Sequence, residues 1–210
     1  MRTRVNPIQI GIILLCWLTA GGSAEATVQQ RESNIVELVG KSELILRGII
    51  TNVSDGIDAR GIPYTEVTMH VADAIRGQVD SEYTFRQFGL IKPRSMGNGL
   101  MNVMTTPADW PTYRLGDESI LFLFKHAKWT GLQTTVGLKH GQFKVGTAGA
   151  ANSANNSGLF ARLSIDPSLL SESDRRVMNT KKGAIRTVDF VSLVRKIVDG
   201  RWIEQGEHAQ

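Results

Sequence analysis

The chain has 210 residues, a formal net charge of +4 and a single cysteine. That length supports one substantial core and excludes two comfortable domains. So small a charge excess does not mark a polyanion-binding protein, and one cysteine cannot supply a disulfide framework.

Taken in chain order, the first element is an export leader. Arg2 and Arg4 form a basic start, residues 8–20 an apolar run, and Gly21, Gly22 and Ser23 break that run. Ala24-Glu25-Ala26 then places small residues where a signal peptidase reads them. The run is shorter than the ~20 residues a spanning helix needs, so residues 1–26 are expected to be a cleavable signal peptide. The mature chain would begin at Thr27, periplasmic or secreted, with no stable membrane anchor. Cys16 sits inside the apolar run, between Leu15 and Trp17, a setting unsuited to lipid attachment. It leaves with the leader, and the mature domain must hold itself together by burial alone.

Asn34 is a helix cap with Glu37 three residues later, and Ile35, Val36, Leu38 and Val39 supply the apolar side before Gly40. Residues 44–53 are almost continuously aliphatic, as in a strand covered on both faces, and Gly48 in the middle suggests a bulge or close approach. Turn chemistry at Asp55-Gly56 and Arg60-Gly61 leads into a second strand at 64–75. There Val67, Met69, Val71 and Ile75 alternate with Glu66, Thr68 and His70. Further strands are predicted at 83–88, 119–125, 134–138 and 142–145. The only low-complexity stretch, 146–158, reads as a flexible loop; it lacks the Lys-Ser/Thr ending of a phosphate-binding loop. Beyond Pro167 the chain turns polar and then helical, with Thr187 as cap and Val188, Val191, Val194 and Val198 on one face. Gly200 stops this helix, which should dock on the strands.

The fold class expected from these elements is mainly β, a small closed or partly open antiparallel barrel of OB-like shape with a short N-terminal helix and a C-terminal helix. The barrel would occupy residues 27–146, and residues 147–210 would form a flexible loop and a helical extension. The segments YTEVTMHVADAIRG, FRQFG, LGDESILFLF and VGLKHGQFKV, in that order, resemble a widespread and largely uncharacterised group of bacterial exported proteins with a small OB-like β-barrel domain. The resemblance implies the barrel and the compartment. It carries no catalytic residues onto this chain.

Chemistry is sparse. His70, His126, His140 and His208 show no helical metal-site spacing, and His126 and His140 could approach each other but lack an evident third ligand. No Gly-x-Ser-x-Gly elbow occurs. No catalytic residue, metal or cofactor is therefore assigned. Between Gly89 and Leu115 lies a long connection whose Pro93, Pro107, Pro111, Gly97 and Gly99 oppose ladder pairing. Arg86, Lys92 and Arg94, with Trp110 and Tyr113 downstream, have the basic and aromatic make-up of a single-strand nucleic-acid surface. Low net charge and an extracytoplasmic setting favour the plainer reading, in which the aromatics cover the barrel edge and the charges solvate the loop. Met101 and Met104, with Leu100 and Val103, are too apolar for a solvated linker and suit a partner surface. Trp110 is expected to pack while residues 101–104 stay available.

These features point to an exported non-catalytic binding or accessory protein, its partner another exported protein and not a nucleic acid. A peptidase inhibitor is one version, by analogy of shape alone. Animal inhibitors of that shape use an N-terminal cysteine that this mature chain lacks. The alternative class is a secreted hydrolase with a dispersed carboxylate site.

Overall fold

A computed structural model of the chain describes residues 33–96, 98–163, 165 and 170–200. The predicted leader with Cys16, the loop glycine Gly97, Pro167 and the tail histidine His208 lie outside the described residues. What is described is mainly β, with helices packed on an antiparallel sheet.

Asn34 accepts the Glu37 N–H at 2.9 Å, satisfying one of the free donors at a helix start, and helix α1 runs Ile35–Lys41. Ser42 closes it, donating its N–H to Val39 and its hydroxyl to the Leu38 carbonyl at 2.6 Å. Strands β1 (Leu44–Ile57) and β2 (Pro63–Arg76) form a long hairpin. At its tip the Asp58 carboxylate accepts the N–H groups of Arg60 and Ile62, each at 2.9 Å. The Ile62 N–H, helped by Arg60 against the cost of desolvation, holds that carboxyl below its usual range.

Strand β3 (Glu82–Phe88) follows, then a detached pair, β4 (Arg94–Ser95) and β5 (Met101–Asn102). Strands β6 (Glu118–Leu123), β7 (Gln142–Gly146) and β8 (Gly149–Ala151) complete a six-stranded sheet of order β3-β2-β1-β6-β7-β8, every pairing antiparallel.

The sheet separates two cores, and that explains its sequence. Leu46, Ile50, Val67, Met69, Phe85, Leu121 and Leu123 enclose Tyr113 on one side. Ile45, Ile120, Phe122 and Phe143 face the helices on the other. Successive residues of β6 and of the start of β1 feed opposite cores, so these stretches are aliphatic without alternation, as expected where both faces are covered; from Gly48 onward one side of β1 meets solvent, with Ile50 buried and Ile49, Thr51 and Asn52 exposed. Strand β2 does alternate, but the pairings Arg47↔Asp73 and Gly48↔Val71 leave Ala72 over as a bulge. The bulge switches faces. Val71 packs beside the Leu46 core, whereas Ile75, grouped with it by simple alternation, is buried in the helix-side core. Gly48 is the residue this crossing needs, because a Cβ there would run into the His70 carbonyl.

Beyond β6 the chain folds back. Phe124 N–H donates to Thr134 at 3.0 Å, Val136 N–H to Phe122 at 2.7 Å, and Gln133 N–H to the Arg86 carbonyl of β3 at 2.7 Å. Residues 133–136 thus lie between β6 and β3. The strand predicted over 134–138 is reduced to one bridge, Leu123↔Thr135. The reason is local: Gly137 and Leu138 take φ of 65° and 55°, which ends extended backbone and starts a 3-10 turn at Leu138–Gly141.

The stretch read as a flexible loop is ordered instead. Its small residues make tight turns around β8, and Asn156 is fully buried, donating to the Ala150 and Gly183 carbonyls at 2.9 Å each. The chain beyond it shares the main core. Helix α2 (Glu172–Asn179) carries a capping box between Ser171 and Asp174, and helix α3 runs Thr187–Val198. The docked face of α3 is Phe190, Val191, Leu193, Val194 and Ile197. Val188, placed on that face by spacing, is exposed, and Thr187 is the first helical residue with Arg186 in the cap position. Phe190 meets Phe143 with ring centroids 4.7 Å apart, and Phe143 meets Phe122 at 5.4 Å. Lys196 ties α3 to α2 through Asp174 at 2.6 Å, and Arg195 pairs with Asp73 of β2.

Candidate functional site

The connection between β3 and β6 opens on Leu90, which is fully buried. Leu90 N–H donates to Met104 at 3.0 Å and Leu90 accepts the Thr106 N–H at 2.9 Å, so residues 90–106 leave and rejoin the body at one point. Between these ends the chain makes an arm. The prolines and glycines predicted to forbid pairing allow a short ladder there, Arg94↔Asn102 and Ser95↔Met101, because the pairing residues fall between the breakers and not on them. Asp55 of β1 fastens the arm: its carboxylate accepts the Ile91 N–H at 2.8 Å and pairs with Arg94, whose guanidinium also reaches the Asp55 carbonyl at 3.0 Å.

The arm carries several large apolar side chains in solvent. Ile91, Met96, Leu100, Met101, Val103 and Met104 are all exposed, Met101 at 55% and Val103 at 68%.

The seven residues singled out from the sequence do not share one face. Met101, Met104 and Lys92 are exposed on the arm, and Arg94 is committed to Asp55. Arg86 stands on the outward side of β3, bonded to Glu66 at 2.7 Å and lying over the Tyr64 ring at 4.3 Å. That hydrogen bond raises the guanidinium pKa further. Trp110 is half-buried, edge-on to Phe88 at 6.2 Å. Tyr113 is no surface residue: only 9% exposed, it sits edge-on to Phe85 at 5.6 Å. Its hydroxyl has no hydrogen-bond partner, and burial pushes its phenol well above the ordinary range. Two of the three predicted cations are thus neutralised by carboxylates, and one of the two predicted aromatics is core.

His126 lies 6.5 Å from the Tyr83 ring, and His140 is in the 3-10 turn. Among the described residues no group of three His, Cys, Asp or Glu side chains is placed to hold a metal ion. No described helix is long and apolar enough to cross a membrane.

Sequence reasoning missed a second feature, a cavity of about 540 Å³ lined by Phe88, Trp110, Phe124 and Leu132 together with Lys41, Arg76 and Lys125. It is assembled from the end of α1, the ends of β2 and β3 and the chain after β6, so its residues are far apart in sequence. The one local signal was Phe124, an outward aromatic continuing the dense apolar run of β6.

Comparison of the chain with protein-family models, with curated proteins and with solved structures returns no match.

Proposed function

We propose that the chain is an exported, non-catalytic binding or accessory protein built on a partly open OB-like barrel, which offers the arm at residues 90–106 to another exported protein. The observation that carries this reading is the arm itself: six large apolar side chains held in solvent on a segment clamped at Leu90 and Asp55. Soluble chains rarely expose such a cluster without a use for it. The barrel reading is supported by the chain path, since β1, β2 and β3 meander, β6 returns beside β1, and Gln133 reaches back to β3 through one backbone hydrogen bond. The bacterial exported proteins that the sequence motifs resemble supply the compartment.

The test is site-specific photo-crosslinking from position 101 in the producing cell, with the adduct identified by mass spectrometry. One dominant exported protein is expected, and a peptidase there would extend the reading to inhibition. Met101→Ser with Met104→Ser should abolish the adduct formed from a neighbouring arm position while shifting stability by no more than about 0.5 kcal/mol, as for surface changes in general. An adduct undiminished by that double change, or none at all, overturns the proposal.

A further inference from the structure

The cavity between the strand ends contains no residue of the arm and has a different chemistry. Its floor is aromatic and aliphatic, from Phe88, Trp110, Phe124 and Leu132. Its rim carries Lys41, Arg76 and Lys125 against a single carboxylate, Glu43. The Arg76 guanidinium donates to the Val39 carbonyl at 2.6 Å, a contact that orients it without neutralising it. Among the described residues none of these three cations forms an ion pair with a carboxylate, in contrast to Arg47, Arg86, Arg94, Lys144 and Lys196 elsewhere on the molecule. The polar lining is already satisfied: Gln133 bonds Tyr83 and the Phe124 carbonyl, and Thr134 bonds Gln87. An entering ligand would therefore find apolar floor and unpaired positive charge, with few groups left for neutral hydrogen-bond recognition.

We infer that this cavity is a binding site for a small amphipathic anion, a flat or aliphatic body carrying one carboxylate or sulfonate. The volume of about 540 Å³ lies within the usual range for small-molecule sites. Burial of the ligand body against the aromatic floor supplies the affinity, and the unpaired cations select the charge, since an anion near a low-dielectric wall is held more strongly than in bulk water. Trp110 is the hinge between this site and the rest of the chain, because the connection that makes the arm also delivers its ring to the floor.

The test is calorimetric titration of the full chain with 2-naphthoate and with 2-naphthalenemethanol, which share the ring and differ in charge. Saturable one-site binding of the acid is expected, at least tenfold tighter than that of the alcohol. Lys125→Glu, at an exposed position where folding is not at risk, should weaken the acid tenfold or more and leave the alcohol unchanged. Lys182→Glu, an exposed change outside the cavity lining, should leave both unchanged. Trp110→Ala, checked for an unchanged circular dichroism spectrum, should weaken both. Equal affinity for acid and alcohol, no saturable binding of the acid, or equal losses from Lys125→Glu and Lys182→Glu would each overturn the inference.

Discussion

Replacing Tyr113 by Phe removes one oxygen from the core and nothing else. The hydroxyl is buried with no hydrogen-bond partner, and a buried polar group left unmade costs about 1–3 kcal/mol. The ring keeps its edge-on contact with Phe85 and its place among Leu46, Leu121 and Leu123. Tyr113→Phe is therefore expected to leave the protein at least as stable at neutral pH, with a gain on the order of 1 kcal/mol, or roughly 2–4 °C in Tm for a chain of this size. The pH dependence is sharper. Burial raises the Tyr113 pKa in the folded chain above the unfolded value of about 10. Below that value both states keep the proton and stability is flat. Above it the unfolded chain ionises while the folded chain does not, so stability falls by up to about 1.4 kcal/mol per pH unit until the folded pKa is reached. Tyr83, raised by burial despite its hydrogen bond to Gln133, adds to the fall in both proteins. The difference between parent and variant isolates Tyr113. Urea unfolding midpoints between pH 8 and 11 measure it, the parent curve descending more steeply than that of Tyr113→Phe. Parallel curves, or a variant weaker by more than about 1 kcal/mol at neutral pH, would show that the hydroxyl has a partner and refute the reasoning.

Phe143→Ala should cost about 3–5 kcal/mol, read from chemical denaturation, because Phe143 bridges Phe122 and Phe190 at the centre of the helix-side core. Asp174 is buried, and although burial opposes ionisation, hydrogen bonds from Lys196 and Ser171 hold its carboxyl below the usual range. Its contribution is thus present above the unfolded value of about 3.9 and lost as pH falls through the lower folded value. Asp174→Asn should lower stability at pH 7 and flatten the loss below about pH 4 in acid-titration melts. N-terminal sequencing of exported material should begin at Thr27, and a start at Met1 would contradict cleavage after Ala26.

How far the fold could be read from sequence depended on whether the signal was local. Asn34 with Glu37, the aliphatic start of β1 and the turn at Arg60-Gly61 are decided within a few residues, and the elements they mark are where they were expected, whereas Asp55-Gly56, read as turn chemistry, continues β1 and pairs with Thr65 and Tyr64 of β2. Ile75 was misplaced because the bulge at Ala72 in its own strand inverts the alternation. Strand β8 was missed because Gly149, Ala150 and Ala151 have no strand propensity; their pairing with β7 and the Ile185 bridge are tertiary. Helix α2 did carry a readable mark, Ser171 followed three residues later by Asp174. Among the candidate residues, Met101 and Met104 are in solvent as expected for a Pro- and Gly-rich connection, whereas Tyr113 differs from an exposed tyrosine only through tertiary contacts with Phe85 and the aliphatic residues on the same side of the sheet.

Where a ligand or partner can meet this chain follows from what the two cores leave uncovered. The side of the sheet enclosing Tyr113 is filled by Met69, Phe85, Leu121 and Leu123, and the other side is covered by α1 and α3. Both faces of β6 and of the start of β1 are thereby closed to solvent, while the far half of the β1-β2 hairpin keeps one side exposed. The connection between β3 and β6 then serves three places at once: Leu90 and Tyr113 are buried, Trp110 lines the cavity, and residues 91–96 and 98–104 make the arm. A Pro- and Gly-rich segment suits this division, since fixed turns let neighbouring stretches diverge without a regular element to carry them. Loss of Tyr113 packing would therefore loosen the far end of the same segment that fixes Trp110, coupling the stability of the inner core to the shape of the outer cavity.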